Sequence, residues 1–179
     1  LAQLLKEESL LKNELIDQFI PHSTKSLLKA HGIIMDSLVE SAGQWRSGGV
    51  GIMKGKDVVH MAPPAEKVPF LIEELLSWLK KTDTHPLIAS SVAHYEIEFV
   101  HPFTDGNGRV GRLWQTVILA KWNTIFSWLS IETIVRNHQQ DYYKILALCD
   151  KSGNSTLFIE FMLQIILEAC GGVAGGVVG

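Results

Sequence analysis

Cysteine is scarce in this sequence: of its 179 residues only Cys149 and Cys170 are cysteine, and each stands in an apolar segment of helical pattern. Two cysteines without the spacing of metal ligands exclude a disulfide framework and a cysteine-based metal site, so we predict that both are buried, reduced thiols. Long apolar runs are also missing. No run reaches the roughly 18 residues that span a bilayer, and no signal peptide opens the chain, so the expected location is cytoplasmic, with no membrane partner.

An excess of positive charge is absent as well. The 16 Lys and Arg residues against 19 Asp and Glu residues give a formal net charge of −3. This balance argues against a nucleic-acid-binding surface over the whole domain, although it allows a local basic site. With 46% hydrophobic and 20% charged residues the composition is that of a globular protein, and the length suits one domain.

Apolar residues recur at helical spacing along most of the chain. We predict an N-terminal helix in residues 1–22, one domain in residues 23–170 and a flexible glycine-rich tail in residues 171–179, because repeated glycine disfavours a helix. Within the domain, helices are expected at 23–43, 68–81, 87–100, 110–122, 131–150 and 155–170.

The segment 46–64 departs from this helical pattern. Two short apolar runs, 50–53 and 58–61, flank a Lys-Gly-Lys turn, and Pro63 and Pro64 follow them. Because proline cannot donate to a strand ladder, we predict a small β-hairpin that ends before the prolines. The expected fold class is therefore all-α with one small hairpin.

Residues 101–112 have the sequence HPFTDGNGRVGR and lie between two apolar helical segments. Glycine and asparagine tolerate positive φ, so the backbone N–H groups of the turn at 106–108 can converge on an anion. A helix is predicted to begin there, and its first N–H groups add positive potential. Arg109 and Arg112 leave the same face of that helix with donors that suit phosphate oxygens. Together these features predict a polyphosphate site.

Asp105 and His101 add chemistry to this phosphate site. A carboxylate beside phosphates is favourable when Mg²⁺ lies between them, since Mg²⁺ takes one or two carboxylates plus phosphate oxygens and waters. His101 is the group in the motif that accepts a proton near neutral pH. Each residue alone has an ordinary structural explanation, as a turn, a surface ion pair or a structural histidine. In combination they predict transfer of a phosphorus-centred group to a nucleophile that His101 deprotonates.

The motif is similar to the Fic-family signature HPFx[D/E]GNGRxxR at every defined position. The similarity extends over about residues 23–167. The segment AHYEIEFV resembles the helix before the family's loop, residues 46–64 resemble its hairpin "flap", and Tyr142-Tyr143 resembles a tyrosine pair beside the adenosine. This resemblance implies a Fic-type helical bundle with a β-hairpin flap. It also implies a protein adenylyltransferase, which transfers AMP from ATP to a Tyr, Thr or Ser hydroxyl of a target protein and releases pyrophosphate.

The resemblance also implies roles for individual residues. His101 would deprotonate the target hydroxyl, and Asp105 would hold Mg²⁺ between the α- and β-phosphates. The flap would bind a target segment by strand-like main-chain pairing. The remaining expected positions are Gly106, Asn107, Gly108, Arg109 and Arg112 for the phosphates (Arg112 nearest the γ-phosphate), Tyr142, Tyr143 and Asp150 for adenosine, and Val50, Gly51, Ile52 and Met53 for the flap.

Two positions bear on which group is transferred. Members with kinase-type activity replace the last glycine of the turn with lysine, so the intact Gly108 favours AMP transfer. Transfer of another group, such as UMP or phosphate, on the same scaffold is the alternative. Several relatives carry an Asn seven residues after the tyrosine pair, where this sequence has Asp150. An ionised carboxylate accepts but cannot donate a hydrogen bond, so the nucleotide is less defined than the chemistry. A nucleotide-binding module without turnover is a third alternative, against which the intact His101 and Asp105 argue.

Many Fic proteins carry an inhibitory motif, [S/T]xxxE[G/N], whose glutamate pairs with the second arginine. The spacing match here is Thr156 with Glu160, but Phe161 follows and the segment has the pattern of a core helix. We therefore predict no inhibitory motif in this chain. Inhibition would come from a segment outside this chain or from a partner antitoxin chain, unless the enzyme is unrestrained.

Overall fold

The structure is a computed structural model that describes residues 16–54 and 57–175. Helices dominate this part of the chain, in agreement with the predicted all-α class. Two short 3₁₀ helices, Ala65–Lys67 and Thr124–Ser127, join longer elements. The α-helices are α1 (Thr24–Ile34), α2 (Val68–Lys81), α3 (Pro86–Val100), α4 (Asn107–Trp122), α5 (Ile131–Asn137), α6 (Gln139–Ser152) and α7 (Thr156–Gly175).

Two short strands lie between α1 and α2. Strand β1 (Gly51–Lys54) pairs antiparallel with β2 (Asp57–Met61), and the register shifts between Ile52 and Met53. The N–H of Ala62 donates to the carbonyl of Val50 at 3.2 Å and so extends the pairing by one step. The polypeptide enters and leaves this pair of strands at neighbouring points.

Helices α3 and α4 pack against each other and carry the 101–112 motif between them. Helix α3 begins at Pro86, whose fixed φ suits a first helical position, and the side chain of His85 accepts from the N–H of Leu87. Gly111 of α4 faces His94 of α3, and a Cβ atom on this glycine would lie 2.7 Å from the imidazole ring. The glycine therefore lets the two helices approach closely.

The hydrophobic core consists of two clusters of buried side chains. One joins α1, α2, α3 and most of α4, and it includes Phe103 and Val110 of the motif. The other joins the end of α4 with α5, α6 and α7, and includes Tyr142 and Phe158. Because Phe103 is fully buried, the motif loop is fixed to the first cluster at its middle.

Four predictions need correction. Helix α1 ends at Ile34, not at residue 43, because the chain folds back and the N–H of Gly43 donates to the ring of His31. The predicted helix 131–150 is divided at His138, a weak helix former. Helix α7 continues to Gly175, into the predicted tail, because extending a formed helix costs far less than starting one. Cys149 is buried as predicted, but Cys170 is exposed.

Most of the predicted N-terminal helix and residues 176–179 lie outside the described residues. Over the ranges that the structure describes, a helix both long enough and apolar enough to cross a membrane was not found.

Candidate active site

His101 lies where α3 ends and the motif loop begins. Its backbone N–H donates to the carbonyl of Ile97, and its φ of 50° and ψ of 60° are left-handed. This conformation is uncommon for a residue other than glycine, so other contacts have to hold it. The ring nitrogen Nδ1 lies 3.3 Å from the carbonyl oxygen of Glu98, which can only accept. That contact favours a proton on Nδ1 and leaves Nε2 as the basic nitrogen.

Asn107, the first residue of α4, closes the loop with its side chain. Its Oδ1 accepts from the N–H of Phe103 at 2.8 Å, and its Nδ2 donates to the carbonyl of Phe103 at 2.9 Å. The residue is only 2% exposed. These two bonds use Oδ1 and one of the two N–H donors of Nδ2 within the loop. The backbone N–H of Asn107 is one of the helix's first donors, which lack partners inside the helix. The phosphate contact of Asn107 stays a prediction.

Gly106 precedes α4 with a φ of 85°, which glycine adopts without strain. A Cβ atom there would also lie 2.5 Å from the sulfur of the buried Met35, so the position excludes a side chain twice over. Its N–H donates to Oδ1 of Asp105 at 2.6 Å. In this arrangement the N–H of Gly106 binds a carboxylate, which leaves the N–H groups that follow it for the predicted anion site.

Asp105 presents its carboxylate to solvent at the start of α4. The side chain is 65% exposed, and Oδ2 lies 3.5 Å from the Arg109 guanidinium. Within the described ranges, no three His, Cys, Asp or Glu side chains are grouped so that they could hold a metal ion. A cation at Asp105 would therefore need phosphate oxygens or waters for its other ligands, which is how Mg²⁺ binds beside nucleotides.

A cavity of about 290 Å³ lies beside the first turns of α4. It brings together two of the expected phosphate ligands, Arg109 and Arg112 of α4, and the tyrosine pair of α6, which are far apart in the sequence. It also contains a third arginine and a glutamate that the sequence analysis did not select. The lining residues are Arg109, Arg112, Glu132, Val135, Arg136, Gln139, Tyr142 and Tyr143.

Arg112 forms an ion pair inside this cavity. Its Nη2 lies 3.6 Å from Oε1 of Glu132, with the Arg112 side chain 19% exposed and the Glu132 side chain 59% exposed. Gly108 lies close to the Arg112 guanidinium group, since a Cβ atom on this glycine would be 3.0 Å from Nη1 of Arg112.

Asp150 is not among the residues that line the cavity, and its carboxylate accepts a hydrogen bond from the hydroxyl of Tyr95 at 3.2 Å. The expected contact of Asp150 with adenosine stays a prediction.

Tyr142 forms a wall of the cavity, and its hydroxyl group points into the protein. The hydroxyl donates to Glu98 at 2.7 Å and lies 3.0 Å from Nε2 of His94, whose Nδ1 lies 2.8 Å from Gln115. Burial raises the pKa of Tyr142 well above its usual range, so the phenol stays protonated. Burial alone would raise the pKa of Glu98, but contacts with His94 and Tyr142 outweigh it and lower that pKa. A buried, ionised carboxylate thus anchors the tyrosine.

Comparison with known proteins identifies the family. The Fic/DOC family model matches residues 21–119. The chain belongs to the Fic/DOC family. It is 28% identical over 166 residues to a Nematostella vectensis protein named protein adenylyltransferase Fic, covering 83% of this chain and 36% of that protein. It is 31% identical over 120 residues to an Aquifex aeolicus protein named a probable protein adenylyltransferase, covering 56% of this chain and 38% of that protein.

Solved structures show the same fold. A Fic family protein from Desulfovibrio desulfuricans superposes with a TM-score of 0.88 at 45% identity, covering 95% of this chain and 52% of that chain. The chain therefore spans about half of this structural relative and, at 36% and 38%, well under half of the two curated relatives.

His31 holds the Fic motif from α1, and the sequence analysis missed it. Its Nδ1 accepts from the N–H of Gly43 at 2.8 Å, so its Nε2 carries the proton and donates to the carbonyl of Asp105 at 3.0 Å. The ring also stacks on Phe103 with 3.7 Å between centroids. Burial lowers the pKa of His31, in keeping with a neutral ring. In the sequence this residue has the pattern of an ordinary core histidine, which hides its contact with the motif.

The expected flap positions fall on β1 and the residue before it. Gly51, Ile52 and Met53 lie in β1, and Val50 pairs through its carbonyl with the N–H of Ala62. The backbone arrangement is that of a two-stranded sheet in which β1 has one partner among the described residues. The docking role of these residues stays a prediction.

Proposed function

We propose that this Fic domain transfers AMP from ATP to a hydroxyl group of a target protein and releases pyrophosphate. The observation that carries the proposal is the cavity in which Arg109 and Arg112 lie beside Tyr142 and Tyr143, next to the start of α4. Cations, helix N–H groups and an aromatic wall are the groups that suit a nucleoside triphosphate. The curated relatives, which are named adenylyltransferases, support the same assignment.

In the proposed reaction, the target hydroxyl oxygen attacks the α-phosphorus of ATP. The bond between that phosphorus and the oxygen that bridges to the β-phosphate breaks, and pyrophosphate leaves with the bonding electrons. The proton of the hydroxyl group passes to Nε2 of His101, because Nδ1 faces the carbonyl oxygen of Glu98. The first N–H groups of α4 and the two guanidinium groups would stabilise the charge that develops on the phosphate oxygens.

Asp105 is the residue that would hold Mg²⁺. Its carboxylate is exposed and lies beside the start of α4, and its oxygen atoms are the hard donors that Mg²⁺ prefers. When bound, Mg²⁺ neutralises phosphate charge and orients the triphosphate. The arrangement therefore fits a cation whose ligands come from one carboxylate and from the nucleotide.

The hairpin of β1 and β2 would dock the target. Because β1 has one partner among the described residues, its other edge can pair with an extended target segment through main-chain hydrogen bonds. This mode fixes the backbone of a target with little dependence on its side chains. We propose residues 23–170 as the unit that carries out the reaction.

The test uses ATP labelled with ³²P on either the α- or the γ-phosphate, and labelled UTP. Label from α-³²P-ATP should appear on a target or on the chain itself, whereas label from γ-³²P-ATP should not. Mass spectrometry of the modified protein should show the added mass of one AMP. Transfer of the γ-label would indicate a kinase, transfer from UTP would indicate UMP transfer, and nucleotide binding without any label would indicate a binding module.

A further inference from the structure

Arg46 lies in the segment before β1 and is only 3% exposed. Its guanidinium group and its backbone N–H together donate to five backbone carbonyl groups. Burial lowers the pKa of the guanidinium, and the charge of Glu66 partly opposes this effect. The acceptors are the carbonyl oxygens of His101 (2.7 Å from Nε), Gly48 (2.8 Å from Nη1), Pro63 (2.5 Å from Nη2), Val100 (3.3 Å from Nη2) and Pro102 (3.0 Å from the backbone N).

These acceptors belong to two separate parts of the molecule. Three of them are consecutive residues, 100–102, at the end of α3, where the carbonyl groups lack partners inside the helix. The other two, Gly48 and Pro63, flank the pair of strands on either side. One side chain therefore joins the base of the hairpin to the backbone of His101.

We propose that Arg46 is a positioning residue that holds His101 and the hairpin in one fixed geometry. This inference rests on the proposed function, because the distance that it sets is the one between the base and a hydroxyl group docked on β1. The left-handed backbone of His101 needs support from outside the helix, and the hydrogen bond at 2.7 Å supplies it. A misplacement of about 1 Å between reacting groups can lower a rate about a hundredfold.

Arginine is required by the number and directions of the acceptors. The guanidinium group presents five N–H donors in a planar fork, and here three of its nitrogens reach four carbonyl groups. Lysine has three donors on a single nitrogen and cannot span acceptors on both sides of the site. Arg46→Lys keeps the charge and therefore isolates the loss of this geometry.

The nucleotide ligands lie elsewhere, which makes the inference testable. The cavity is lined by residues of α4, α5 and α6, and Arg46 contacts none of its lining residues through the hydrogen bonds described above. We expect Arg46→Lys to lower kcat for transfer about tenfold or more. We expect the Kd for Mg-ATP to stay within about twofold of the wild-type value, because the groups proposed to bind the nucleotide are unchanged. Arg112→Lys is the matched control and should weaken Mg-ATP binding.

Hydrogen–deuterium exchange of the full chain gives a second measurement that needs no activity. Arg46→Lys should increase exchange in the hairpin, residues 48–63, and at residues 99–104 together, whereas Arg112→Lys should leave both segments unchanged. A wild type without transfer would refute the proposed function, and the exchange data would still decide the role of Arg46.

Three results would overturn the inference. The first is exchange that rises in one segment alone or in neither. The second is transfer by Arg46→Lys at the wild-type rate. The third concerns stability: if neither Arg46→Lys nor Arg46→Gln unfolds cooperatively, Arg46 is a general stabiliser of the fold and not a positioning residue.

Discussion

We expect Glu132→Gln to tighten the binding of ATP, because Glu132 occupies the guanidinium group that is proposed to meet the γ-phosphate. The two side chains form an ion pair at 3.6 Å, in which Glu132 is mostly exposed and Arg112 mostly buried. Exposed pairs of this kind contribute about 0.2–1 kcal/mol. Since 1.4 kcal/mol corresponds to tenfold in affinity, removing the competitor should tighten ATP binding by at most about fivefold.

The assay is calorimetric titration of the wild type and the variant with Mg-ATP and with Mg-ADP. The gain should be larger for ATP than for ADP if Arg112 meets the third phosphate. Glu160→Gln is the matched control, because it removes the same charge from an exposed position on α7 and should change nothing.

Two outcomes would refute this reasoning. Equal tightening by Glu132→Gln and Glu160→Gln would indicate a general charge effect. Weaker binding by Glu132→Gln would mean that Glu132 itself contacts the nucleotide.

Three further predictions concern the motif. His101→Ala should abolish transfer and leave Mg-ATP affinity within about twofold in calorimetry, because the base acts on the target hydroxyl; full transfer would exclude the proposed base. Asp105→Ala should weaken Mg²⁺-dependent ATP binding and transfer together; an unchanged Mg²⁺ titration would place the cation elsewhere. Burial lowers the pKa of His31 below its ordinary 6.5, so the unfolded chain binds more protons in acid. Stability should therefore be full above about pH 6.5 and fall as the pH drops below it. Melting temperatures from pH 7.5 to 5 should lose much of this slope in His31→Gln; an identical slope in that variant would contradict the assignment.

Local chemistry explains why the sequence predicts the turn of the motif well. Gly106 has the positive φ that glycine favours, and α4 begins directly after it, three residues before the predicted start at residue 110. These features depend on neighbouring residues only, so they can be read along the chain. The predicted ends of helices are wrong where contacts between distant residues decide them, as at Ile34, after which the chain turns back towards His31.

Contacts between distant residues could not be predicted from the sequence. The side chain of Asn107 has groups that suit a phosphate or a loop backbone, and its two hydrogen bonds to Phe103 depend on how the loop folds. Arg46 and His31 lie more than fifty residues before the groups that they hold, and a single sequence contains no sign of these pairings. The same applies to Glu132, whose ion pair with Arg112 depends on how α5 packs against α4.

The contacts of the loop connect two sides of the proposed site, one towards the target and one towards the nucleotide. Arg46 ties the start of the loop to the hairpin, while Tyr142 and its hydrogen bond to Glu98 form the nucleotide side. Asn107 joins the two by fixing the loop's middle to the start of α4. The hairpin supplies no residue to the cavity lining. Under the proposed function, substitutions along β1 should therefore change target docking more than ATP binding. Substitutions at Arg46 or Asn107 act on the reaction step instead, since each is expected to move His101 relative to both substrates and so to lower the rate of transfer.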